Sequence, residues 1–187
     1  MKTKLLLLTL LIAFSANSFS QSQSNPVTDL LQSSFSERNY TTVPVTDQQL
    51  DLILKCGIKA PSARNLQPWK FTVIKDEATV KEIISNAVAG NVLIIVSGQV
   101  SQSGTTPDFD CGLAAESMFI AAHGLGLGAR IYGSPAGPVN AKKEAYQVPE
   151  GYKAVVVLRI GNVEKGPDAS SGATTRKSME EVVNYKK

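Results

Sequence analysis

Hydrophobic residues recur along this chain with two periods, 3.6 and 2, and the switches between them divide most of it into alternating helices and strands. Thr46 and Gln49 have the spacing of a capping box. Leu50, Ile53, Leu54 and Ile58 follow on one helical face, which predicts a helix that stops before Pro61. Trp69, Phe71 and Val73 alternate with Lys70 and Thr72, the pattern of a half-buried strand over Trp69 to Lys75. Asp76 then suits the cap of a helix carrying Val80, Ile83, Ile84 and Val88. Val92 to Val96 is continuously apolar and short, as in a strand buried on both faces. Ser101 to Asp108 has loop composition.

Asp110 to His123 is apolar on most sides and predicts a largely buried helix, stopped by the glycines from Gly124 to Gly128. Ala129 to Tyr132 reads as a short strand, Val139 to Gln147 as a helix and Lys153 to Ile160 as the last strand. A polar tail follows Gly161 and carries one more short helix, Met179 to Val183. Taken alone, the alternation fits a parallel doubly wound sheet. However, the glycine run follows a helix and precedes a strand, the reverse of a phosphate-binding fingerprint.

The start of the chain reads differently. Lys2 and Lys4 precede an apolar run from Leu5 to Phe14, with Ser18-Phe19-Ser20 beyond it. This is the layout of a secretory signal peptide over residues 1–20, too short to span a bilayer comfortably, so an exported, periplasmic or secreted protein is expected, with no stable membrane insertion after cleavage. A flexible Ser-rich segment and a first helix from about Val27 fill residues 21–33, ahead of one domain at 34–187.

The 187 residues carry 19 basic and 16 acidic side chains, and removing Lys2 and Lys4 leaves 17 against 16. So even a balance, with no block of like charge, argues against a nucleic-acid binder. Cys56 and Cys111 sit in no metal or redox spacing and read as buried thiols, with a disulfide left open. His123 lacks a nucleophile or acid cluster nearby, and its place in the last helical turn suits the helix dipole. Asp108 and Asp110 read as helix caps. No catalytic residue and no metal site is expected.

The most polar concentration is Pro61-Ser62-Ala63-Arg64-Asn65-Leu66-Gln67-Pro68, a loop held between two prolines that push Ala60 and Gln67 toward extended backbone. It resembles the loop of the nitroreductase family, and other segments agree in order. Ser34-Phe35-Ser36-Glu37-Arg38-Asn39-Tyr40 is similar to a family motif with Arg-Arg-Ser-x-Arg-x-Tyr/Phe character. Asp110 to Met118 resembles the long dimer-core helix, and Thr174-Thr175-Arg176 resembles a Lys-x-Arg ending.

The resemblance implies an α+β fold, with a mainly antiparallel central sheet flanked by helices, in a homodimer whose C-terminal tails are exchanged. It implies flavin mononucleotide (FMN) as cofactor. Ser36, Arg38 and Arg176 would hold the phosphate. Pro61, Ser62, Ala63 and Asn65 would border the ring from the neighbouring subunit, and the Tyr132, Gly133 and Ser134 backbone would lie against it. The implied activity passes electrons by a ping-pong scheme from a reduced donor, NAD(P)H among the candidates, to a small electron-poor acceptor such as a nitroaromatic or quinone. The alternative is a non-catalytic flavin-binding member, because Ser34, Phe35 and Thr174 stand where the family has basic residues.

Overall fold

The computed structural model describes residues 25–100, 107–164 and 174–186. The expected signal peptide, and most of the loop placed at Ser101–Asp108, lie outside them. The chain divides into two units, Met1–Gln32 and Ser33–Lys187. At the end of the first lies helix α1 (Pro26–Ser33), started by Asn25, whose Oδ1 accepts the N–H groups of Val27 and Thr28 at 3.0 and 3.1 Å.

The second unit is built on a sheet of β1 (Trp69–Ile74), β2 (Val92–Gln99), β3 (Gly128–Tyr132) and β4 (Tyr152–Gly161), in the order β1-β2-β4-β3. Every pairing is antiparallel. The sheet is therefore the one the resemblance implied, and the doubly wound reading of the alternation is wrong. Strand β2 shows why its sequence is apolar throughout. Val92, Ile94 and Val96 face one core, and Leu93 and Ile95 the other. A β-bulge between Val96 and Ser97 leaves Val155 without a cross-strand partner, and both Val155 and Val156 pack toward the first core.

The first core lies beneath α2 (Asp47–Ile58) and α4 (Pro107–Gly124), where Leu50 and Ile53 meet Ala114, Met118 and Ala122. Helix α2 begins with the expected capping box, Thr46 and Gln49 each accepting the other's backbone N–H at 3.0 and 3.2 Å. Helix α4 begins at Pro107, so Pro107 and Asp108 are helix and not loop. Proline is well placed in a first turn, where its missing N–H costs nothing.

The second core holds Val80 of α3 (Glu77–Ile83) and Val139 of α5 (Ala136–Ala141). Helix α3 is capped by Asp76 as expected but stops short of Val88. The chain turns there to bring the Asn86 side chain and carbonyl to the buried Arg159 guanidinium, both at 3.2 Å. Helix α5 starts earlier than Val139 and ends at Ala141, with turns to Gln147 in place of the expected helix. Asn140 is tied to Ala154 of β4 by two hydrogen bonds, of 2.8 and 2.9 Å. Helix α6 (Met179–Val182) lies near the expected C-terminal position.

Candidate functional site

Two polar segments stand out, one at each edge of the sheet. The first is the loop that leads into β1. Arg64, Asn65 and Gln67 all have positive φ, 51°, 56° and 48°, although none is glycine. Gln67 is therefore left-handed, not extended as Pro68 led one to expect, and the loop holds strain that an ordinary connection does not.

Hydrogen bonds fix this shape. Ser62 Oγ accepts the Gln67 N–H at 3.0 Å, and the Gln67 side-chain amide donates to the Asn65 carbonyl and Oδ1, both at 3.3 Å. Ser62 and Ala63 are half-buried, and Pro61 and Asn65 are exposed. Below them Asp110 Oδ1 accepts the Ala63 N–H at 3.2 Å. Asp110 is thus not a helix cap. Its partner Asp108 forms an exposed ion pair with Lys153 at 2.9 Å.

The second segment crosses the start of β3 and the end of β4. The Glu37 N–H donates to the Ala129 carbonyl at 3.0 Å, and Tyr40 forms an isolated bridge with Val163. Glu37 is buried, and Ser36 and Arg38 on either side of it are exposed. The Glu37 carboxylate turns inward and accepts the N–H groups of Arg38 and Asn39 at 2.7 and 2.8 Å. The segment fits this closely because Gly128 and Gly161 face each other across β3 and β4. A Cβ on Gly128 would stand 2.6 Å from Glu37 Cγ, and one on Gly161 would stand 2.8 Å from Tyr40 Cδ1.

Tyr132, Gly133 and Ser134 follow β3. Gly133 and Ser134 are exposed, and a Cβ added at Gly133 would meet nothing within 4 Å, so this backbone is open to a ligand. Half-buried Tyr132 lies under the Arg130 guanidinium, 4.8 Å from its ring centroid. Arg176 is exposed and donates to the carbonyl and Oγ1 of Thr174, both at 2.9 Å, with no bond to Ser36 or Arg38.

The structure thus brings Ser36 and Arg38 to the β3 edge and Pro61, Ser62, Ala63 and Asn65 to the β1 edge. The two groups lie on opposite edges of the sheet, with β2 and β4 between them, and at opposite strand ends, since Trp69 aligns with Gly98 and Lys153 while Gly128 aligns with Gly161. One protomer does not join them. The donor set at the β3 edge, a hydroxyl and a forked guanidinium, fits a phosphate. The β1-edge loop offers amide and hydroxyl donors of the kind that hydrogen-bond a heteroaromatic ring. These residues fit a phosphorylated flavin.

Other titratable groups have structural settings. Burial lowers the His123 pKa below its usual value, outweighing the hydrogen bond with the Phe35 backbone and the Glu37 charge. Desolvation, not the helix dipole, decides its charge. Its ring packs edge-on against Phe119 at 4.6 Å, with Nε2 buried and unpartnered. Burial pushes the Cys111 thiol up to about 12, so it stays protonated. Cys56 and Cys111 are both free thiols, Cys111 buried and Cys56 half-buried.

Not foreseen from the sequence were the contacts by which Asp110, Glu37 and the facing glycines hold the two polar segments. Each acts through a neighbour distant in the chain or through the absence of a side chain.

Comparison with known proteins bears on the family and the fold. Residues 32–105 match the family model described as the nitroreductase family. A candidate NADH dehydrogenase/NAD(P)H nitroreductase of Archaeoglobus fulgidus is 30% identical over 135 residues, which are 66% of this chain and 78% of that protein. A candidate nitroreductase from Desulfovibrio desulfuricans, solved in complex with FMN, superposes with a TM-score of 0.75 at 26% identity over 88% of this chain and 99% of that one. A nitroreductase from Desulfitobacterium hafniense with bound FMN shares the fold, with a TM-score of 0.73 at 18% identity over 88% of this chain and all of its own. With this fold, these matched segments and this relative, the chain belongs to the nitroreductase family.

Proposed function

We propose that the protein is an FMN-dependent oxidoreductase that works as a homodimer, exported after cleavage of residues 1–20. The observation that carries this reading is the separation of the two polar segments on opposite edges of one sheet, which leaves each protomer with two half-sites and no whole one.

In the assembled site Ser36 and Arg38 bind the phosphate, and Arg176 turns from Thr174 to join them. Ser62 and Asn65 of the other copy orient the ring, between Pro61 and Ala63 on one side and the Tyr132 to Ser134 backbone on the other. When bound, the flavin would supply the redox chemistry, two-electron transfer between a reduced donor such as NAD(P)H and a small electron-poor acceptor such as a nitroaromatic or quinone. The chain itself then needs no nucleophile or general base. Its task is to bind, orient and desolvate.

Exposed apolar surface supports the dimer. Phe109 is 66% exposed, and half-buried Leu113 and Ile120 lie on the same helix, α4. Met179, Val182 and Tyr185 of the C-terminal tail are exposed as well, suited to crossing onto the other copy. Free edge β1 borders a groove of about 430 Å³ lined by Leu54, Ile58, Trp69, Phe71 and Val73, a place for such a tail.

Ser34 and Phe35 in place of family arginines, and an Arg176 already bonded to Thr174, favour a second reading, a flavin-binding member without turnover. An absorbance spectrum of the purified protein with FMN, before and after anaerobic NADH or NADPH, tests both. Bound flavin that bleaches supports the enzyme, and bound flavin that bleaches only with dithionite supports the second reading. A protein that leaves added FMN free contradicts both.

A further inference from the structure

Asp110 is fully buried, at 0% exposure, and lies in the first turns of α4. One carboxylate oxygen accepts the Ala63 N–H at 3.2 Å, and the other, Oδ2, has no hydrogen-bond partner. A buried acidic group with half of its acceptor capacity unmet is costly for folding, so its presence calls for a reason beyond stability. The bond to Ala63 reaches across 47 positions of sequence into the loop where Arg64, Asn65 and Gln67 are left-handed. Strained backbone of that kind persists only where its surroundings over-determine it.

The geometry points to Asp110 as the positioning residue of the flavin-facing loop. Its carboxylate anchors the loop at Ala63, and the strained turn from Arg64 to Gln67 then presents the Asn65 amide and the Ser62 hydroxyl. This assignment rests on the flavin reading above for what the loop faces, but not for the anchor itself. What the anchor needs is a side-chain oxygen that accepts the Ala63 N–H. An amide at the same place keeps the acceptor and loses the charge. Alanine loses both.

The experiment compares Asp110→Ala and Asp110→Asn in the full-length protein with Val80→Ala, a truncation in the second core chosen to lower thermal stability. Two quantities are read: amide hydrogen exchange of residues 63–67 without ligand, and FMN affinity by fluorescence quenching. In Asp110→Ala the amides of Ala63, Asn65, Leu66 and Gln67, all hydrogen-bonded in the native loop, exchange at least about tenfold faster. FMN binds about tenfold or more weakly. Asp110→Asn restores most of both, and Val80→Ala changes neither beyond its effect on global unfolding. Native-like exchange at 63–67 in Asp110→Ala overturns the assignment, as does an equal loss of affinity in Val80→Ala. If the native protein binds no FMN but the exchange changes as stated, the anchor stands and the flavin reading fails.

Discussion

The Arg159 guanidinium lies 4.0 Å from the centroid of the Tyr40 ring, a cation held against an aromatic face at the point where the Ser36 to Tyr40 segment leaves the sheet. Arg159 is buried, and among the described residues its guanidinium hydrogen-bonds to Asn86 and Asn91, neutral acceptors, so the ring supplies part of the compensation its charge needs. Tyr40 thereby pins the segment that carries Ser36 and Arg38.

Tyr40→Leu is expected to lose about 1–3 kcal/mol of stability and Tyr40→Phe less than about 1 kcal/mol, because the phenol bond to the Glu37 carbonyl is long, at 3.4 Å. Denaturant unfolding of the two variants measures the difference. The tyrosine also has a pH signature. Burial raises its folded pKa above the usual value, so its proton stays on in the fold after the unfolded chain has lost it. Stability is then full below about pH 10 and falls as pH rises above it. Tyr40→Phe flattens that alkaline loss.

Gly128→Ala tests whether the second segment needs the close approach. The added Cβ meets Glu37 Cγ at 2.6 Å and Cβ at 2.9 Å, and also the Val163 side chain, so the segment must move away from β3. FMN affinity is expected to fall by about tenfold or more, with a stability loss of about 1–3 kcal/mol. Isothermal titration with FMN beside a thermal melt separates the two effects.

His123 gives the opposite pH dependence. Burial depresses its folded pKa, so the neutral ring is favoured in the fold and protonation favours unfolding. Its contribution is present above about pH 6.5 and is lost as pH falls. His123→Gln is expected to reduce the slope of unfolding free energy against pH below about 6.5. Urea titrations at several pH values measure that slope, and an unchanged one contradicts the assignment.

What the sequence made legible was set by local pattern. The caps at Thr46 and Asp76, the apolar runs of β2 and β4 and the helix stop after His123 are local signals, and each stands in the fold. Strand direction is not local. The alternation of elements fits parallel and antiparallel sheets alike, and only the resemblance implied the second.

The misread ends of α3 and α5 follow from side chains committed to distant partners, Asn86 to Arg159 and Asn140 to Ala154. Pro107 with Asp108 was a readable helix start, passed over because its neighbours have loop composition. In the site, Ser36 and Arg38 are both exposed, while Arg176 is turned to Thr174. Asp110 gave no signal, since an acid in the first turn of a helix ordinarily faces water.

The central claim is that each flavin site takes Ser36 and Arg38 from one protomer and Ser62 and Asn65 from the other. Arg38→Ala and Asn65→Ala, unfolded and refolded together in equal amounts, test it by FMN-binding capacity at a concentration where neither binds alone. Random pairing makes about half of the dimers mixed, and each mixed dimer has one intact site and one doubly altered site. The split site predicts recovery of about one quarter of native capacity. A mixture that binds no more FMN than either variant alone contradicts it.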